Sequence, residues 1–185
     1  MSDTYYVKTF GGLEITNDNV TVNIVELFGK QLVNLLQVLL FHSEKPVQKD
    51  ELIDILWPES KNPSSALKFS IFRLRAELNE IEFFKDKEVI VTTRKGYILN
   101  PNLDWNIDFV ELEKAYNQIN DGSELLDEKE FKTARKIFRL YQGRFYASPS
   151  QLHWILQKQE IFRQMYVKTM MRTSCYLYTQ KRYDR

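Results

Sequence analysis

The chain is 185 residues long, with 43% hydrophobic and 28% charged residues and a formal net charge of +1. This composition is typical of a globular protein and excludes a disordered or fibrous chain, while the length allows one large domain or two small ones. No run approaches the ~20 apolar residues of a membrane span, and the N-terminus lacks the layout of a secretion signal. We therefore expect a cytoplasmic protein with no membrane partner.

The first quarter of the chain predicts short strands and then helices. β-type runs at residues 5–10, 13–16 and 20–24 are separated by turn-forming Gly, Asn and Asp residues, which predicts a small antiparallel meander. The periodicity then becomes helical. Residues 29–42 place leucines along one face and predict a core helix, and residues 48–56 predict a short helix that ends before a proline.

Residues 63–79 predict a third helix with two unlike faces. At ~100° per residue, Phe69 and Phe72 lie about 170° and 130° from the middle of the apolar stripe, on the same outer side as Arg73. We expect these two aromatic side chains to be exposed. The stripe itself, which predicts the buried face, consists of Leu67, Ile71, Leu74 and Leu78.

A hairpin is predicted after this helix. Residues 88–93 and 97–100 are β-type, and Arg94, Lys95 and Gly96 join them. Gly96 can adopt the positive φ that a tight turn requires. The first hundred residues are thus predicted to hold three strands, three helices and a hairpin.

From Asp104 onward the sequence predicts helices only, in three amphipathic segments, the last running from Gln151 to about Thr179. They suggest stacked helical hairpins. The chain stops at "KRYDR", which we interpret as the start of another helix. Because a helical array normally ends in a polar capping element, we expect the sequence to be a fragment.

Several strings, in this order and spacing, resemble a known family. "VKTFGGLEI", "LLQVLLFHSEKPVQKDELIDILWP", "ALKFSIFRLRAEL" and "VIVTTRKGYIL" resemble the OmpR/PhoB-type winged-helix DNA-binding domain that opens the Streptomyces antibiotic regulatory protein (SARP) family. "NIDFVELEKAY", "FRLYQGRFY" and "IFRQMYVKTMMR" resemble the bacterial transcriptional activator domain that follows it there. The resemblance implies an α+β winged helix-turn-helix domain at residues 1–100 and an all-α tetratricopeptide-like domain at residues 104–185, incomplete at its C-terminus.

What the resemblance implies in function is a sequence-specific transcription activator that binds double-stranded DNA. In that family the third helix enters the major groove and the hairpin wing reaches toward the minor groove. Carried over by position, Arg73 is the expected base-reading residue, because a guanidinium can pair with a guanine edge. The helical domain would contact RNA polymerase or assist homo-oligomerisation on repeated sites. The other DNA-binding candidates are Ser65, Lys68, Phe69, Phe72, Arg75, Arg94 and Lys95.

One rival hypothesis stays open. Phe69 and Phe72 stand where the family usually has polar or basic residues, and two adjacent exposed aromatics can mark a protein contact. Residues 1–100 also hold 12 Lys and Arg against 14 Asp and Glu, which does not favour strong nonspecific DNA binding. The alternative is therefore a protein–protein interaction module whose winged helix no longer binds DNA.

Enzymatic chemistry has no support in the sequence. His42 and His153 are far apart, neither has a partner at metal-ligand spacing, and Cys175 is the single cysteine. Neither a phosphate-cradling glycine loop nor a nucleophile signature is present. We predict no catalytic residues, no metal and no cofactor, and the sequence names neither an operator nor an effector.

Overall fold

The computed structural model of the protein describes residues 4–119, 126–147 and 152–180. It divides into two compact units, which we call the N-terminal unit (Met1–Tyr5 and Ile15–Trp105) and the C-terminal unit (Tyr6–Glu14 and Asn106–Arg185). The helix expected to start at "KRYDR" and Gln151, at which the last helical segment is expected to begin, lie outside the described residues. The domain ranges 1–100 and 104–185 remain predictions about independent folding.

Short strands open the chain, as predicted. They are β1 (Thr4–Lys8), β2 (Glu14–Asn17) and β3 (Val20–Asn23). Together with β6 (Asp104–Ile107) they form a four-stranded sheet of order β3-β2-β1-β6. Asp18, in the turn between β2 and β3, has a φ of 51°, which Asp tolerates better than most residues.

The strand β6 (Asp104–Ile107) corrects the prediction that only helices follow Asp104. Residues 104–107 alternate between exposed and more buried positions, as a strand with a period of two does. The alternation is only four residues long and ends where the helical pattern starts, so the sequence pattern alone does not predict a strand here. Pairing with β1 supplies the backbone partners that a free segment would lack.

Four helices follow the first strands: α1 (Ile24–Leu27), α2 (Lys30–Phe41), α3 (Lys49–Leu56) and α4 (Pro63–Asn79). The short helix α1 was not predicted. It forms because the Asn23 side chain accepts a hydrogen bond from the Val25 N–H at 3.1 Å, which caps the first turn. Helix α4 packs against α2 and α3, and the leucine face of α2 is buried as predicted.

A hairpin of β4 (Ile90–Thr93) and β5 (Gly96–Leu99) completes the winged-helix architecture. The strands are antiparallel, with Ile90 opposite Leu99 and Thr93 opposite Gly96, so Arg94 and Lys95 form a two-residue tip. Before the hairpin, the 3-10 turn Glu82–Phe84 presents Phe84 to an aromatic cluster. The rings of Tyr5 and Phe84 lie 5.0 Å apart between their centroids, and those of Tyr5 and Trp105 5.3 Å.

The C-terminal unit contains α5 (Asp108–Ile119), α6 (Glu128–Leu140) and α7 (His153–Thr179). Helix α6 packs against both α5 and α7, which agrees with stacked helical hairpins. The extended segment Tyr6–Glu14 also belongs to this unit. Among the described residues, no helix is both long and apolar enough to span a bilayer.

One buried carboxylate joins the extended segment to α5. Asp108 Oδ2 accepts hydrogen bonds from the N–H groups of Thr9 at 2.7 Å and Phe10 at 3.1 Å, and Oδ1 accepts one from the Thr9 hydroxyl. Burial raises the pKa of Asp108 above its usual value of 3.8, and the hydrogen bonds counteract this only in part. The rings of Phe10 and Phe162 meet edge to face, 5.3 Å apart, beside this link.

Candidate nucleic-acid interface

Helix α4 sorts its residues onto two faces as its periodicity predicts. Pro63 occupies the first helical turn, where its missing N–H costs no intrahelical bond. The predicted stripe is buried, with Leu67, Ile71, Leu74 and Leu78 all at most 3% exposed. On the opposite side Phe69 is 61% exposed and Phe72 is 69% exposed. The helix is thus held by its aliphatic face and leaves both aromatic rings in solvent.

The charges on α4 are unevenly distributed along its length. Residues 63–76 contain Lys68, Arg73 and Arg75 and no Asp or Glu, whereas Glu77 and Glu80 lie at the C-terminal end. The N-terminal end of a helix also bears the positive end of its macrodipole. The first fourteen residues of α4 therefore form a surface that favours an anionic partner.

Arg73 has an acidic neighbour one turn further on. Its Nη2 lies 3.2 Å from Glu77 Oε1, and both side chains are substantially exposed, at 52% and 39%. An exposed i,i+4 pair contributes only about 0.3–0.5 kcal/mol to stability. A bidentate contact to a base is worth about 1–3 kcal/mol, so DNA could displace Glu77 from Arg73.

Arg75 does not project freely from the helix. Its Nε and Nη2 donate to the Ile90 carbonyl oxygen at 3.1 and 2.8 Å, and Nη2 also donates to Thr92 Oγ1 at 2.8 Å. The guanidinium therefore joins α4 to the first strand of the hairpin. The sequence predicted Arg75 only as a DNA-binding candidate and did not reveal this link, because nothing in the local pattern indicates which element an arginine will reach.

The tip of the hairpin is organised by Thr93. Its Oγ1 accepts hydrogen bonds from the N–H groups of Lys95 and Gly96, both at 3.2 Å, and donates to the Gly96 carbonyl oxygen at 3.1 Å. Arg94 and Lys95 are exposed at this tip. Two cations are thus presented on a turn whose backbone is fixed by its own side chain.

The start of β5, next to the hairpin tip, is anchored to the loop before α3. The N–H of Val47 donates to the Tyr97 carbonyl oxygen at 2.8 Å, and the N–H of Tyr97 donates to the Val47 carbonyl oxygen at 3.0 Å. Gly96 has a positive φ of 146°, as predicted for the turn. A Cβ at this position would lie 1.8 Å from the Val47 carbonyl oxygen. Close approach of two backbones, as well as the turn, requires glycine here.

The predicted site residues therefore fall into two groups within the N-terminal unit. Ser65, Phe69 and Phe72 share the exposed outer face of α4 with Arg73, and Lys68 is exposed on its flank. Arg94 and Lys95 lie at the hairpin tip. Arg75 stands apart from both groups, because its guanidinium is hydrogen-bonded inside the unit.

Comparison with known proteins agrees with this geometry. Residues 25–99 match the family model described as "Transcriptional regulatory protein, C terminal". The match covers the three main helices and the hairpin, which contain all of the predicted site residues. No curated protein sequence matches the chain.

The comparison with solved structures gives two matches. Mycobacterium tuberculosis EmbR, solved in complex with a low-affinity phosphopeptide, aligns with a TM-score of 0.70 and 16% identity over 97% of this chain and 46% of that chain. The DNA-binding domain of E. coli CadC aligns with a TM-score of 0.39 and 24% identity over 54% of this chain and 92% of that chain. The chain spans less than half of the EmbR chain that it matches.

The likeness to EmbR covers nearly the whole chain, so it confirms the expected order of a winged helix followed by helices. The matched family is a class of regulators rather than of enzymes, in agreement with the expectation of a non-enzymatic protein. Residues 25–99 therefore fold as a winged helix and are similar to the C-terminal domain of transcriptional regulatory proteins.

Proposed function

We propose that the chain is a sequence-specific DNA-binding transcription activator. Helix α4 lies in the major groove with its outer face toward the bases, and the hairpin tip reaches the adjacent backbone or minor groove. The observation that supports this most is the outer face of residues 63–76, which is exposed and has no acidic residue. In the winged-helix domains that the chain resembles, this helix enters the major groove.

Each group of residues has its own role in this proposal. Arg73 reads a base edge after leaving Glu77, since an arginine can donate two hydrogen bonds to guanine O6 and N7. Lys68 and Ser65 contact phosphates at the N-terminal end of α4, where the helix dipole also favours them. Arg94 and Lys95 contact the flanking backbone from the hairpin tip. Arg75 acts indirectly, by holding the hairpin against α4.

The C-terminal unit has the role that the resemblance suggests. It would contact RNA polymerase or assist oligomerisation of the chain on repeated sites. Its helices expose several large apolar side chains on α7, among them Leu156, Ile161, Met170 and Met171, and exposed apolar surface of this kind favours protein contact over DNA contact.

Fluorescence anisotropy tests the DNA-binding proposal directly. The full chain is titrated against labelled duplexes from the upstream region of its own gene at two salt concentrations. We expect binding that weakens steeply with salt, because contacts to phosphates release counterions. Arg73→Ala should weaken binding by about 1–3 kcal/mol and relax selectivity at one base pair.

Lys132→Ala is the matched control for this experiment. Lys132 lies in an exposed i,i+4 pair with Glu128 on α6, at 4.0 Å, so its loss removes the same charge and the same kind of pair far along the chain from α4. It should bind like wild type. If no duplex shows salt-sensitive binding, or if Arg73→Ala and Lys132→Ala behave alike, base reading by α4 is refuted.

A protein-interaction module is the second candidate. Phe72 borders a groove of about 440 Å³ beside α4, whose lining includes Ala76, Val89 and Lys87. A partner that inserts an apolar side chain there would bind with little dependence on salt, in contrast to DNA. The salt response in the titration therefore separates the two candidates.

A further inference from the structure

The outer face of α4 is unusual for a surface that reads bases, because its centre is apolar. Ser65, Phe69, Phe72 and Ala76 follow one another at i, i+4, i+7 and i+11 and so share one side of the helix. Of these four, only Ser65 has a polar side chain, and it lies in the first turn. The two rings, 61% and 69% exposed, dominate the surface that the helix would present to a groove.

The nearby cations are placed differently from the rings. Arg73 lies beside them and pairs with Glu77 at 3.2 Å, and Arg75 is hydrogen-bonded to the Ile90 carbonyl oxygen. Lys68 is on the flank of the helix, where a phosphate is nearer than a base edge. The middle of this face therefore offers few side-chain hydrogen-bond donors that could recognise guanine. Much of the selectivity among base pairs at this position must come from apolar contacts.

The largest apolar group on the base edges in the major groove is the 5-methyl group of thymine, and most of the remaining edge consists of hydrogen-bond donors and acceptors. A phenyl ring placed against a polar edge would remove that edge from water without giving it a partner, which costs free energy. Against a thymine methyl group, the same ring gains contact area and leaves no polar atom unsatisfied.

The spacing of the rings suits two such methyl groups. Residues three positions apart rise about 4.5 Å along a helix, which is comparable with the ~3.4 Å between successive base pairs. Phe69 and Phe72 can therefore address neighbouring base pairs. Residues 63–76 contain no acidic residue, and the cations Lys68 and Arg73 flank the two rings. Only together do these two features favour DNA over an acidic protein surface as the partner that the rings contact.

We propose that Phe69 and Phe72 are specificity-determining residues that read the 5-methyl groups of thymines at neighbouring positions of the operator. This inference rests on the proposed function, since it names what the α4 surface recognises in DNA. It predicts an operator whose centre under α4 contains at least two thymines, on the same or on opposite strands.

Replacement of thymine by deoxyuridine tests the proposal, because it removes the methyl group and leaves every hydrogen-bonding atom in place. A tight-binding duplex is first selected from a randomised library with the full chain. Each thymine is then replaced singly, and anisotropy gives the affinity. We expect two positions at which the replacement weakens wild-type binding about fourfold, the effect of burying one methyl-sized group.

The protein variants connect each effect to a ring. Phe72→Ala should abolish the thymine preference at one of the two positions and keep it at the other, and Phe69→Ala should do the reverse. A double-mutant cycle that combines each protein variant with each deoxyuridine duplex measures this coupling. Both rings are mostly exposed, so neither change should alter the thermal melting curve. Lys132→Ala should keep both preferences.

The possible outcomes separate this inference from the proposed function. If no duplex is selected and bound with salt dependence, DNA binding itself is refuted. If a duplex is bound but deoxyuridine has no effect at any position, or if the preference survives in both phenylalanine variants, thymine reading is refuted while DNA binding stands. A thymine preference that disappears at a different position in each variant supports the proposal.

Discussion

Replacement of Gly96 by alanine should detach the hairpin from the body of the winged helix. A Cβ at this position would lie 1.8 Å from the Val47 carbonyl oxygen, and the φ of 146° is one that L side chains rarely adopt. The backbone conformation alone costs about 1–3 kcal/mol for a non-glycine residue. Relief of the clash requires the two hydrogen bonds between Val47 and Tyr97 to break, each worth about 1 kcal/mol.

We therefore expect Gly96→Ala to lower the free energy of unfolding by about 3–5 kcal/mol, a large part of the ~5–15 kcal/mol that holds a typical protein folded. Urea unfolding measures the loss, and hydrogen exchange at the Val47 and Tyr97 amides reports it locally. Gly29→Ala is the matched control, because Gly29 has a φ of −62° and a Cβ there meets no atom of the described residues within 4 Å.

Gly29→Ala should change stability by no more than about 1 kcal/mol, the ordinary effect of a substitution before a helix. Equal stability of the Gly96→Ala and Gly29→Ala variants, with unchanged exchange of the Tyr97 amide, would show that the hairpin is not anchored at Val47. The position of the Arg94 and Lys95 tip would then depend on the hydrogen bonds of Arg75 to β4 instead.

Three further predictions concern side chains with defined partners. Arg75→Ala should weaken DNA binding and speed amide exchange in β4, whereas a pure phosphate ligand would change only the affinity and lower the salt slope by about 1. Glu77→Gln should tighten DNA binding about twofold in anisotropy, because it frees Arg73 from a weak ion pair. Asp108→Asn should lower the free energy of unfolding by about 2 kcal/mol in urea titrations, because an amide cannot accept at both ends and a buried donor of Thr9 loses its partner. Since burial raises the pKa of Asp108 above 3.8, the free energy of unfolding of wild type should decrease as the pH rises through the raised pKa, and Asp108→Asn should lose this pH dependence.

Much of the N-terminal unit follows from periodicity. The stripe of α4 and the leucine face of α2 are buried as predicted, because a helix that packs on one side requires apolar residues three and four positions apart. The exposure of Phe69 and Phe72 follows from the same geometry. Gly96 was also recognisable, since a glycine after two polar residues between β-type runs is typical of a tight turn.

Other features depend on contacts between distant parts of the chain and could not be predicted from local pattern. Strand β6 forms because it can pair with β1. Its alternating pattern is only four residues long, which is too short to predict a strand from the sequence. The bonds of Arg75 to the hairpin depend on the distance between two elements. Asp108 accepts hydrogen bonds from residues about a hundred positions earlier, which groups the segment Tyr6–Glu14 with the C-terminal helices.

The central claim is that the outer face of α4 and the hairpin tip bind DNA, and an NMR titration tests it most directly. The full chain is labelled with ¹⁵N and titrated with its selected duplex, and shifts are followed at every assigned backbone amide. We predict that the largest shifts cluster in residues 63–76 and 92–95, with those of α6 nearly unchanged. Large shifts confined to the C-terminal unit, or saturating DNA binding with no shift in α4, would contradict the account.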